Sequence, residues 1–422
     1  MVLGVVTFLV VCLVRDYSFI GDEELGVRDR AQEIRADTNE ASTPPPFALI
    51  DFQQSDYAAF GYPVVASRAV LARVLALAGR GQPKLIVVDI DLGINGGEAE
   101  LMPVLKALAE DPKAPPVLFV RRPLAAGKAG GPDVILPTSY DGVVDTTPRM
   151  MWVSAHAQPD GDSVTRRYYV SRLVHRGSLR LNLPGIQAAA CAVLQRDAGL
   201  HRLRQAIAAP NGSFACGEAD WPLAKPDETS EINYTMSWHP REGRRRPQLD
   251  IDGDKVEEIE THDALELSRM DAHVLPNPAA LFAGRVVIIG SSADQAGDIH
   301  GTSIGEMPGM LVEANAIRSG LHHGRVRRDG MGFSIALTAL MSLVTWLVWC
   351  GIRTIRLGHL VFEQAAAPLL NVAWLFVISV MLPAAHGEVF LYPQVLVALA
   401  LVIHHVFTEG RKRSRSQKET SP

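Results

Sequence analysis

At 422 residues, 47% of them hydrophobic, and with a mean hydropathy of +0.10, the chain is too apolar for an ordinary soluble protein, so a membrane part and a globular part must both fit. A formal charge of −5 excludes a broad basic surface for nucleic acid. Four cysteines are too few for a disulfide scaffold; Cys12 and Cys350 fall in hydrophobic segments, which leaves Cys191 and Cys216 as the candidate bridge of the globular part.

Residues 1–14 read as an N-terminal transmembrane helix. The apolar run from Val2 to Val14 reaches only about 20 Å at ~1.5 Å per residue, so it crosses a bilayer by continuing helically. A cleaved signal peptide is the alternative, but no positive n-region precedes the run. Residues 15–330 look globular, and this domain begins with a charged, roughly helical stretch over 17–36 that Pro44, Pro45 and Pro46 break. FALIDF, residues 47–52, reads as a first buried strand. Ser67 caps a helix whose Val70, Leu71, Val74, Leu75 and Ala78 share a face and which Gly79 and Gly81 close.

A strand over 85–90, a helix over 98–109, a strand over 117–120 and a glycine-rich loop over 125–132 follow. Strands alternating with helices predict an α/β fold with a mostly parallel sheet flanked by helices. Further on, 168–175 and 231–238 alternate as strands do and 186–194 is helical, whereas the charge runs 241–246 and 250–260 read as solvated loops. Val286, Val287, Ile288 and Ile289 form a strand covered on both faces; residues 291–306 form a polar loop; and Pro308, Met310, Leu311, Ala314, Ile317 and Leu321 have helical spacing, with Gly324 as the stop.

Residues 331–407 hold three transmembrane helices, 333–350, 360–382 and 389–407, and residues 408–422 form a basic tail. Arg353 and Arg356 in the first connecting loop and the RKRSR run from Arg411 put loop and tail in the cytoplasm and the large domain outside it.

DFQQSDYAAFGYPVVASRAVLARVLALAG from Asp51 and PKLIVVDIDLG from Pro83, INYTMSW from Ile232, and above all RVVIIGSSADQAGDIHGTSIGEMPGMLVEANAI from Arg285, resemble the CHASE2 domains, extracellular sensory domains of bacterial receptors. The last stretch is similar to the family's Gly-Asp-x-x-x-Thr loop and Met-Pro-Gly helix start, and one N-terminal and three C-terminal spans fit the family layout. Val64 stands where an aromatic residue often follows the Gly-aromatic-Pro turn. The resemblance implies a membrane-anchored sensor without catalytic residues, cofactor or metal, which binds a small-molecule or envelope ligand. Only 15 residues follow the last span where such proteins usually continue into a cyclase or kinase, so the expected relay is to a separate signalling partner, with a homodimer as one arrangement.

If the strands ending at Asp51, Asp89 and Gly290 are parallel neighbours, their carboxyl ends share the edge where open α/β sheets bind ligands. Asp51, Arg68, Asp89, Asp91 and Asp298 are the candidate ligand-binding residues there, or else they pair with one another and fix the loops. Two other functions stay open: an envelope enzyme using Asp89, Asp91 and Asp298, and a structural membrane scaffold. Asp294, Asp298, His300 and Glu306 match no calcium or zinc spacing.

Overall fold

The structure, a computed structural model, describes residues 45–323 apart from 62–65, 94–96, 125–132, 156, 196–198, 210–211, 217–218, 224–227, 240–247, 252–253 and 271–274, together with Asp29. The four expected membrane segments, the 17–36 helix apart from Asp29, the 125–132 and 241–246 loops and the basic tail lie outside the described residues. Among the described residues no helix is long and apolar enough to cross a membrane. The chain divides into two units, one comprising Met1–Ala31 and Arg327–Pro422, the other Gln32–Val326, and the fold is that of the second.

Its centre is a six-stranded sheet: β1 (Phe47–Phe52), β2 (Leu85–Val88), β3 (Val117–Arg121), β4 (Met150–Ser154), β5 (Ile259–Asp263) and β6 (Val286–Ser291). The spatial order is β5-β1-β6-β2-β3-β4, and every pairing is parallel. The side-chain period of two divides each strand between two cores. Phe47, Leu49, Leu85, Val87, Val286 and Ile288 pack with α3 (Ile186–Gln195) and α5 (Gly309–His323) on one face. Ala48, Ile50, Ile86, Val88, Val287 and Ile289 pack with α1 (Arg68–Arg80), α2 (Glu98–Glu110) and α4 (Ala264–Arg269) on the other. Both faces are covered, which is why these strands read as unbroken apolar runs.

Strand β6 enters late in the chain yet lies between β1 and β2. Helix α1 follows β1 onto one face, while α5 follows β6 onto the other. The carboxyl ends of β1, β6 and β2 therefore flank a switch point, the crevice where open α/β sheets take ligands.

Ser67 caps α1 as expected, its Oγ accepting from the Val70 amide at 3.4 Å. Gly79 does not end the helix, which runs to Arg80. A Cβ there would lie 2.7 Å from Leu108 Cδ2, so Gly79 lets α2 approach α1 closely.

Four expectations are corrected. The run 250–260 is not a solvated loop: Gln248–Ile251 and Asp254–Glu257 form an antiparallel hairpin, Glu258 is fully buried against Arg318 at 2.9 Å, and β5 forms the sheet's edge on β1. Residues 291–306 are not a loop throughout, since Ile299–Thr302 and Gly305–Pro308 pair as a second hairpin. Residues 168–175 do not make one strand: Thr165–Tyr169 and Ser171–Arg176 belong to different sheets, with the chain turning at Val170. Residues 231–238 are a strand only as far as Glu231.

Beyond Ile232, whose amide still donates to Arg166 O at 2.9 Å, the segment is held by α5 side chains instead of a neighbouring strand. Asn315 Oδ1 accepts from the Thr235 and Met236 amides at 2.9 Å each, and Asn315 Nδ2 donates to Met236 O and to Leu311 O, also at 2.9 Å. The Asn233 amide donates to Ser319 Oγ at 3.0 Å, and Arg318 Nη1 donates to Thr235 Oγ1. One asparagine amide reproduces the ladder that a strand would have supplied, which satisfies the buried backbone.

Candidate functional site

The carboxyl edge of the sheet carries all five sequence-predicted ligand residues, but the structure gathers them into three separate groups. At the end of β1, Asp51 accepts from the Ser292 amide at 2.8 Å and from Ser292 Oγ at 2.6 Å, while Ser291 Oγ donates to Phe52 O at 2.7 Å. These bonds stitch β1 to the chain leaving β6. Burial pushes the Asp51 carboxyl up to about 6, against the two Ser292 bonds and with help from the Asp56 and Asp263 charges.

The second group straddles the switch point on the α5 face. Asp89 follows β2, Asp298 follows β6, and Glu313 lies one turn into α5. Arg122, immediately after β3, reaches Asp298 Oδ2 at 2.8 Å and Asp89 Oδ1 at 3.8 Å. His300 Nε2 lies 3.1 Å from Asp298 Oδ1. The buried Asp89 and Glu313 carboxyls are electrostatic neighbours of each other and of Asp298. Ionised carboxylates offer only acceptors and repel one another, so their nearness in a buried site favours the protonated form. Burial, then the neighbouring carboxylates, drive Asp89 and Glu313 well above the ordinary carboxylate range. Burial works the same way on Asp298, but the His300 bond and the Arg122 charge outweigh it and hold that carboxyl below its usual value. Arg122 is the group's outlet: 45% of its side chain is exposed, whereas Glu313 is 1% exposed.

Two glycines make this group possible. A Cβ on Gly309 would stand 2.2 Å from Asp298 Oδ2, and the Gly309 amide donates to Asp298 O at 2.8 Å. A Cβ on Gly290 would meet Met310 Cβ at 2.7 Å. The Met307-Pro308-Gly309 sequence thus starts α5 with its backbone pressed against both β6 and the Asp298 carboxylate.

The third group lies on the α1 face. Arg68 Nη2 donates to the Asp91 carbonyl at 2.5 Å, and Asp91 Oδ1 accepts from the Gly93 amide at 2.7 Å. Tyr140 and Glu98 are electrostatic neighbours of Arg68. Asp89 and Asp91 therefore serve different groups and do not form one Asp-x-Asp ligand pair. Among the described residues no set of three or more His, Cys, Asp and Glu side chains is arranged to hold a metal ion.

Cys191 is buried in α3 and disulfide-bonded. The strand Ser213–Cys216 packs against α3, but the Cys216 side chain lies outside the described residues. Sequence reasoning missed Arg122 and Glu313. Arg122 had one legible signal, since a second arginine directly after a buried strand must face opposite to Arg121.

The profile of the CHASE2 domain matches residues 6–353, most of the chain, and the chain belongs to that family of extracellular sensory domains. No curated protein and no solved structure matches it.

Proposed function

We propose that this CHASE2 chain is a membrane-anchored sensor in the bacterial inner membrane, its domain outside the cytoplasm, relaying a signal through its transmembrane segments to a separate partner such as a kinase or cyclase. The observation that carries it is the Asp89–Asp298–Glu313–Arg122 group, which joins the sheet's switch point to α5. From His323, where α5 ends, nine residues separate the helix from the hydrophobic run that opens at Phe333. A ligand or proton that rearranges the group acts on Glu313, and so on the helix that leads to that run. Sensing fits this geometry better than envelope enzymology, because the acidic residues of the enzyme reading are divided between two groups on opposite faces. A bridge between Cys191 and Cys216 accords with an oxidising compartment.

The test is topological. A reporter active only outside the cytoplasm, inserted at Gly131 of the full chain, is expected to be active, and the same reporter fused after Pro422 silent. The reverse pattern removes the sensor geometry.

A further inference from the structure

Buried polar atoms on the α1 face are mismatched in one direction: donors are left over. Arg68 is 6% exposed and makes one hydrogen bond, through Nη2; its Nε and Nη1 have no partner among the described residues. Tyr140, 1% exposed, has an Oη without one either. The two side chains are electrostatic neighbours. Asp91, Glu98 and Tyr57 also face Arg68, yet among the described residues no carboxylate comes within ion-pair distance of it. Arg121, which shares Asp91 as a neighbour, repeats the pattern. Its Nη2 binds Leu136 O and Asp141 at 2.9 and 3.0 Å and its guanidinium lies over Trp152, while Nε and Nη1 go unmatched.

A buried guanidinium without a counter-ion is costly, and a protein normally retains one only where something else supplies the negative charge. The local chain is shaped to keep Arg68 in place. Gly97, at φ +70°, starts α2 without a side-chain cap, and a Cβ on it would lie 2.2 Å from Arg68 Cβ. The α2 backbone therefore packs against the arginine stem and fixes where its head points.

We propose that Arg68 and Tyr140, flanked by Arg121, form a receptor for a small oxyanion, a carboxylate or phosphate group, at the carboxyl edge of the sheet on the α1 face. The guanidinium leaves N–H donors unmatched on Nε and on Nη1, on either side of the Nη2 that Asp91 O engages, and the phenol adds a further donor for anion oxygens. The site stands independently of the sensor reading, since it concerns what binds and not what the binding signals.

The experiment uses the purified full-length chain and follows its melting temperature as inorganic phosphate or acetate is added, with sodium chloride at matched ionic strength as the control. The proposal expects saturable stabilisation by at least one oxyanion and none by chloride; the arm that responds names the headgroup. Tyr140→Phe removes one hydroxyl and should weaken the binding roughly tenfold while leaving the anion-free melting temperature unchanged or higher. Arg68→Met should abolish binding, and if that variant fails to fold, Tyr140→Phe carries the test alone. Absence of saturable binding by either anion, or binding that Tyr140→Phe leaves intact, overturns the proposal.

Discussion

Two polar groups sit at the same edge of one sheet and are opposite in kind. On the α5 face, Asp89, Asp298 and Glu313 crowd one arginine, so acceptors outnumber donors and the protonated forms of Asp89 and Glu313 are favoured. On the α1 face, Arg68 and Tyr140 hold donors with nothing to accept from them among the described residues. The alternation of a strand accounts for the separation. Arg121 and Arg122 are consecutive, yet the first stacks on Trp152 with the α1-side core and the second reaches across to Asp298. Burial alone thus does not decide protonation or affinity; the balance of donors to acceptors in each group does.

The largest expected effects come from the glycines that build the two groups. Gly97→Ala would force a β-carbon into Arg68 at a left-handed φ, and Gly309→Ala would force one onto the Asp298 carboxylate. Each should cost about 2–4 kcal/mol in urea unfolding, with Gly97→Ala the worse because it adds backbone strain. Losses below about 0.5 kcal/mol would mean that neither group is held as tightly as the close approaches imply.

Dependence on pH separates the two faces next. Asp51, Asp89 and Glu313 have raised carboxyls, so the folded chain binds more protons than the unfolded one. Their stabilisation is complete below about pH 4 and is lost as pH rises through the folded-state values, for Asp51 through about 6. Asp298, being depressed, works in the opposite sense and loses its contribution as pH falls. Stability should therefore drop between pH 4 and 7, by on the order of 2 kcal/mol from Asp51 alone. Glu313→Gln, which keeps the neutral shape, should flatten the part due to its own group. A stability that climbs steadily over the same interval would contradict the assignment.

Much of this architecture is written locally in the chain. β1, β2, β3 and β6 announce themselves as β-branched or apolar runs, and α1 and α2 as amphipathic periods, because each element's core contacts follow its own periodicity. What stayed hidden depends on distant partners. β5, Ile-Glu-Thr-His-Asp, carries one apolar residue, and nothing near it in sequence reveals that β1 will pair with it. The Asn233–Met236 stretch looks like a strand because it alternates, but the partners of its Asn233, Thr235 and Met236 amides are helix side chains about 80 positions away. Glu313 sits among Met310, Leu311, Ala314 and Ile317, and whether such a glutamate faces solvent or another carboxyl is set by the sheet beneath it. For the site, sequence located the edge and its five polar residues, while the division into three groups came from side-chain direction at strand ends.

A finer probe of the donor-rich face is the dependence of Tyr140→Phe on added anion. Without anion the variant should match or slightly exceed the parent in stability, by up to ~1 kcal/mol, because a buried hydroxyl without a partner is a cost. A loss of more than that in anion-free buffer would show that the hydroxyl already has an acceptor.

The most direct measurement is infrared difference spectroscopy of the carboxyl stretch on the full chain at neutral pH, parent against Asp89→Asn and Glu313→Gln. A protonated-carboxyl band in the parent that disappears in either variant is the predicted result. A parent with every carboxyl ionised at pH 7 would contradict the central claim that burial and mutual repulsion keep a proton on the Asp89 and Glu313 carboxyls.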